Sequence, residues 1–248
     1  MPSAEPLTGR LAVDDLNKLL SQMVLDLADL ETKEDTVEAV AYYARAAVKA
    51  DDAGVMLVHA RNKVETVAGT SKEVDQAHQL QAASGEGPCL AAVMGGAEIY
   101  VVANTLGDNR WPTWGKAAAE MGYYSVVSAS MHRSTRRIGS LNVYSRSIDA
   151  FSDSDVEVMG LLSGHATIAI DAAKKQQEMK EALGSRTLIG QAEGILMQAY
   201  DIDATKAFGY LRRLSQDQNV KLVKIAETII ENRPAIGGNV PQEASPTG

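Results

Sequence analysis

Cys89 is the only cysteine in the 248-residue chain, so it can form neither an internal disulfide nor a cysteine-rich zinc or iron–sulfur site. It follows Gly87-Pro88 near the start of an expected short helix, where the helix dipole would lower a thiol pKa and favour nucleophilic or redox chemistry. With no resolving cysteine, a small buried side chain accounts for it as well. His59, His78, His132 and His165 have no metal-pair spacing, and no His-Glu-x-x-His run occurs. Gly85-x-Gly87 lacks the third glycine and the Lys-Ser/Thr ending of a phosphate loop, so it eases a tight turn. Ser152-Asp153-Ser154-Asp155, ahead of an apolar helical pattern, has the chemistry of a cap and an acidic first turn more than that of a metal site. Arg133, Arg136 and Arg137 at an expected hairpin tip suit either an anionic ligand or plain solvation. No catalytic triad, paired carboxylates or metal box emerges; the reading is of a protein that is not an enzyme, with no metal and no cofactor.

A second group of residues has a usable geometry for binding. Lys206, Tyr210 and Arg213 fall at i, i+4 and i+7, one stripe of a helix whose inner face is Ala207, Leu211 and Leu214. Arg212 borders the stripe. Lys221 and Lys224 begin the next helix, and Ser215, Gln216 and Asn219 supply polar groups at the corner between the two. Cations can hold phosphates while Tyr210 stacks on an unpaired base, a combination that suits single-stranded loops of nucleic acid better than a regular duplex. On pattern alone, a solvated helix face accounts for the same residues.

The elements that must position these groups follow from periodicity. Leu11–Leu30 carries apolar residues three and four apart and reads as an amphipathic helix; a second is expected from Thr36, with Thr36 as its cap. Ala53–Ala60 and Lys63–Gly69 read as strands joined by a tight turn at Arg61-Asn62, and Tyr124–His132 with Ile138–Ser145 as an antiparallel hairpin. Between the pairs lie helices near Ser71–Gln81 and Trp111–Glu120 and a short strand at Ile99–Val102. The succession implies an α+β domain with a central antiparallel sheet and helices gathered on one side of it. A helix starting after Ser152 leads into a polar connector. Leu183–Ala199, Ala204–Leu214 and Lys221–Ile230 then form an all-α three-helix unit. The expected boundaries are 12–172 for the α+β domain, 173–182 for the connector, 183–233 for the three-helix unit and 234–248 for a disordered tail.

Charge follows this division. The whole chain has 24 Lys+Arg against 32 Asp+Glu, a net of -8 that would repel a phosphate backbone if spread evenly. Residues 1–173 hold 14 basic and 23 acidic side chains, whereas 174–234 hold 10 and 8, so the helical unit is mildly basic. The start of the chain has no basic-then-apolar targeting pattern, and no uninterrupted apolar run approaches the ~18 residues of a membrane span. The expectation is a cytoplasmic protein with no membrane partner.

The run from Ser185 to Met197, SRTLIGQAEGILM, followed by Ala204, Ala207-Phe208, Leu211-Arg212, Ser215-Gln216, Asn219, Lys221-Leu222 and Ala226, closely resembles the ANTAR domain of bacterial transcription antitermination regulators. Ser84–Cys89, Gly139-x-Leu141-x-Val143 and Phe151-x-x-x-Asp155 upstream resemble a GAF sensory domain. The resemblance implies a regulator that binds paired stem-loops in a nascent transcript and prevents a terminator hairpin from forming. It places the RNA surface on Lys206, Tyr210, Arg212, Arg213, Ser215, Asn219, Lys221 and Lys224, and close helix packing on Ala192, Gly194, Ala207 and Ala226. It also implies a homodimer, with a small-molecule or protein ligand at the GAF-like domain. The Asn-Lys pair of cyclic-nucleotide-binding relatives is absent, since Val143 follows Asn142, and the several cysteines of GAF-type sulfoxide reductases reduce here to Cys89. The alternative is a ligand-sensing adaptor whose helical unit binds a protein.

Overall fold

The computed structural model describes residues 13–58 and 64–233. The Arg61-Asn62 turn, His59 and the 234–248 tail lie outside the described residues. The chain divides into two compact units, Met1–Lys175 and Gln176–Gly248.

The first unit opens with α1 (Val13–Asp29) and α2 (Lys33–Ala47). Thr32 caps α2, its hydroxyl oxygen accepting from the Asp35 N–H at 3.0 Å. The expected cap, Thr36, instead lies one turn inside the helix and is buried. Thr32-x-x-Asp35 forms a reciprocal hydroxyl–carboxylate cap that starts the helix a turn earlier. Strands β1 (Asp52–Val58) and β2 (Val64–Gly69), helices α3 (Lys72–Ser84) and α4 (Pro88–Met94), strand β3 (Ile99–Val102), helix α5 (Pro112–Glu120) and the hairpin β4 (Ser125–Arg133) and β5 (Arg136–Ser145) follow. The five strands form one antiparallel sheet in the order β2-β1-β5-β4-β3. Helix α6 (Asp153–Tyr200) begins in this unit, with Ser152 and Asp155 forming its cap.

Helices cover both faces of the sheet, not one. Val55, Leu57, Val127, Ala129, Leu141 and Val143 face α1, α2 and the start of α6; Met56, Val126 and Tyr144 face α3, α4 and α5. Central strands buried on both sides must be covered on both sides, and nearly all of β5 is buried.

The second unit consists of the end of α6, α7 (Ala204–Gln218) and α8 (Leu222–Glu231). Its core is Ala192, Leu196, Ala207, Leu211, Ile225, Ala226 and Ile229, with Leu188, Ile195, Leu214 and Leu222 at its edge. Ala207, Leu211 and Leu214 are the inner face expected of α7 from its spacing. Gly194, expected at a helix contact, is exposed and faces open space. By length and mean hydropathy α6 could cross a bilayer, but half of the qualifying window is buried inside the fold, as in a core helix.

Candidate nucleic-acid interface and buried polar layer

Helix α7 starts where the Asp203 carboxylate accepts from the Lys206 N–H at 2.8 Å, a side-chain cap that satisfies an otherwise unpaired N–H of the first turn. Ala207 and Leu211 point inward, which leaves Lys206, Tyr210 and Arg213 on an exposed stripe, with Arg212 exposed beside it. Lys206 Nζ lies 3.6 Å from the exposed Asp203 carboxylate, a pair that water screens. Among the described residues, no carboxylate pairs with Arg212 or Arg213, so their charge is available to an anion.

The corner uses some of the expected contact residues for itself. Ser215 donates its hydroxyl to the Val220 carbonyl at 2.6 Å. Asn219 takes the left-handed conformation, φ 52°, that ends α7, and its N–H closes on the carbonyls of Ser215 and Gln216. Both residues shape the surface before they can touch a ligand. Lys221 is exposed at the N-cap of α8. Lys224 is exposed too, but Glu227 lies 2.6 Å away and raises its pKa, so part of its charge is answered internally. The stripe therefore rests on Lys206, Tyr210, Arg212 and Arg213, with Lys221 beyond the corner.

Tyr200, which sequence reading placed in a break, stands beside Tyr210. Their ring centroids are 6.4 Å apart at 41°, and both rings are about half exposed. Two exposed rings next to unpaired guanidinium groups can stack on splayed-out bases while the cations hold phosphates. The ten-residue separation gives no periodic signal; only the turn between α6 and α7 brings the rings together.

In the first unit, the sheet face under α3, α4 and α5 buries a polar layer. The Asn142 amide donates to the Gly54 carbonyl at 3.2 Å and lies 3.3 Å from His78 Nε2. Burial lowers the His78 pKa to about 3, so its imidazole is neutral. Gln81 Oε1 accepts from the N–H groups of Cys89 and Leu90, capping α4 from α3. Cys89 is buried, 3.1 Å from the Tyr144 hydroxyl, with the Ser128 hydroxyl donating to its sulfur. Burial pushes its thiol pKa up, the opposite of activation by a helix start. Among the described residues, His78 Nδ1, Gln81 Nε2 and Asn142 Oδ1 find no hydrogen-bond partner. Gly85 ends α3 in the left-handed region at φ 73°, and Gly87 precedes α4 at φ 131°, the tight turn expected of this segment. Among the described residues, no group of three His, Cys, Asp or Glu side chains is placed to hold a metal.

Family models settle the two units. A GAF domain model matches residues 31–171. The chain belongs to the GAF domain family. An ANTAR domain model matches residues 177–230. This GAF protein thus joins a sensory type of domain to a module of the RNA-binding antitermination type, both regulatory rather than catalytic. A comparison with curated proteins finds no match.

Solved structures support the fold alone. A bacteriophytochrome from the photosynthetic bacterium R. palustris is 12% identical with a TM-score of 0.57, covering 82% of this chain and 46% of its own. This chain therefore spans about half the length of that relative. The GAF domain of an Acinetobacter phosphoenolpyruvate-protein phosphotransferase is 18% identical, TM-score 0.53, covering 66% of this chain and 97% of its own. Free methionine-R-sulfoxide reductase from Neisseria meningitidis, solved with its substrate, is 16% identical, TM-score 0.52, covering 70% and 95%.

Proposed function

We propose that this GAF–ANTAR protein is a cytoplasmic, non-enzymatic antitermination regulator that binds stem-loops of nascent transcripts through the exposed face of α7 and the start of α8. The observation that carries the reading is the combination on one small helical unit of Arg212 and Arg213, exposed and without a carboxylate partner among the described residues, with the neighbouring exposed rings of Tyr200 and Tyr210. The ANTAR match supplies the functional class. Lys206, Ser215, Asn219, Lys221 and Lys224 complete the surface, Ser215 and Asn219 by holding its corner.

A mildly basic unit gains affinity if two copies engage two loops of one RNA, because the second contact is then intramolecular. Leu161 and Ile168, exposed and seven residues apart on α6, would give a second copy an apolar seam. The first unit would sense a small-molecule or protein ligand, with α6, which contributes to both units, carrying the response. Filter binding with a two-loop RNA tests the function. Retention of the two-loop RNA at concentrations where a scrambled hairpin passes through supports it. Equal retention of both would favour a helical unit that binds a protein instead.

A further inference from the structure

On the sheet face opposite His78 and Asn142, a cavity of about 380 Å³ lies among α2, α6 and the ends of β1 and β5. Among the described residues its lining includes Lys33, Arg136, Arg137 and Lys174 against one carboxylate, Asp171, in a stretch of chain that is acidic as a whole. Arg137 turns its guanidinium toward Gly95, so Lys33, Arg136 and Lys174 are the cations that define the cavity. We infer that this cavity is a binding site for a small organic phosphate.

Lys33 provides the first argument. It occupies the first turn of α2, where the helix dipole favours acids over cations, and its side chain is only 18% exposed. Its ion-pair partner Glu34, at 3.2 Å, is itself mostly in water. An anion in the cavity would give this largely enclosed ammonium a second partner. Asp171 provides the second. Its side chain is 3% exposed and both oxygens are engaged, Oδ2 by Arg133 and Lys175 at 2.8 Å each and Oδ1 by Arg136 at 3.2 Å. The carboxylate thus fixes the Arg136 guanidinium, which has further N–H groups to donate. Size and wall chemistry provide the third. Leu57, Ile138 and Ile170 form an apolar wall beside the cations, and the volume fits a small molecule rather than a nucleic-acid strand. The ligand is a dianionic head on an apolar body.

The site deepens the sensory reading of this unit, and rests on it only for the meaning of occupancy; binding is measured without RNA. Calorimetric titration of the full chain with phenyl phosphate, orthophosphate and phenol separates head from body. Phenyl phosphate should saturate one site per chain, orthophosphate should bind more weakly at the same site, and phenol should not bind. Added KCl should weaken phosphate binding. Lys33→Gln and Lys174→Gln should each weaken phenyl phosphate by about tenfold. If Lys33→Gln does not fold, Lys174→Gln and the salt series decide. Phenol binding as tightly as phenyl phosphate, no phosphate saturation below about 10 mM, or unchanged affinity in the folded variants would overturn the assignment. So would displacement of phenyl phosphate by an RNA hairpin, which would make the cavity part of a nucleic-acid surface. Phosphate binding that leaves RNA affinity unaltered would keep the site and remove its sensory role.

Discussion

In the first unit, His78, Gln81 and Asn142 are shut away from water beneath α3 and α4, while in the second Tyr210, Arg212 and Arg213 stand in it. The buried group has to be neutral, because an ionised group there would lose its hydration without compensation. Asn142 accordingly donates to Gly54, Gln81 caps α4, and the His78 imidazole is uncharged. The exposed group keeps its charge at little cost and leaves its donors to a partner. Polar chemistry in the first unit therefore serves the fold, whereas in the second it stands in solvent, where the proposed function puts it to use. Substitutions should separate along the same line: large stability effects where the side chain is enclosed, binding effects without stability effects where it is not.

The greatest loss should come from Trp114→Ala in the first unit. The indole is buried and donates to the Ala77 carbonyl at 3.3 Å, so its removal should cost about 3–5 kcal/mol in chemical denaturation. Leu211→Ala should cost about 3 kcal/mol in the small core of the second unit, read as lost α7 and α8 amide protection in hydrogen exchange. A loss spread equally over both units would break the comparison.

Acid should act next. The unfolded-state pKa of His78 is the ordinary 6.5 and the folded value is about 3, so in that interval the unfolded chain binds the extra proton. Stability should decline as pH falls below 6.5, by about 2 kcal/mol at pH 5 from this residue alone. His78→Gln should flatten that part of the curve; an unchanged slope would mean that the imidazole is not the titrating group. Thr32→Ala should have the smallest effect, about 1 kcal/mol, through loss of the α2 cap, seen as earlier melting.

The legible parts of the chain were those with a single dominant period. The inner faces of α7 and α8 repeat every three and four residues, and Ala207, Leu211, Ile225, Ala226 and Ile229 are buried as that spacing implies. The strand at Ile99–Val102 and the β4–β5 hairpin were legible for the same reason. Where two local signals competed, the reading slipped. Thr32 and Thr36 both precede acidic or apolar residues, and the Asp35 carboxylate selects Thr32 by bonding its hydroxyl. Helix placement on both sheet faces was hidden because Ser128, Ser140 and Asn142, all buried, look in sequence like solvent-facing positions. On α7, spacing identified the exposed stripe of Lys206, Tyr210 and Arg213. It did not reveal that Glu227 occupies Lys224, that Ser215 is spent on Val220, or that Tyr200 completes a pair of rings, since each depends on how the chain turns.

The most direct test of the central claim is RNA affinity measured alongside thermal melting for the full chain and for the Arg212→Ala, Arg213→Ala double variant. Exposed arginines should be dispensable for folding, so the melting temperature should stay where it is, while affinity for a two-loop RNA falls by about tenfold or more and loses part of its salt dependence. Unchanged affinity in a fully folded double variant would contradict the account.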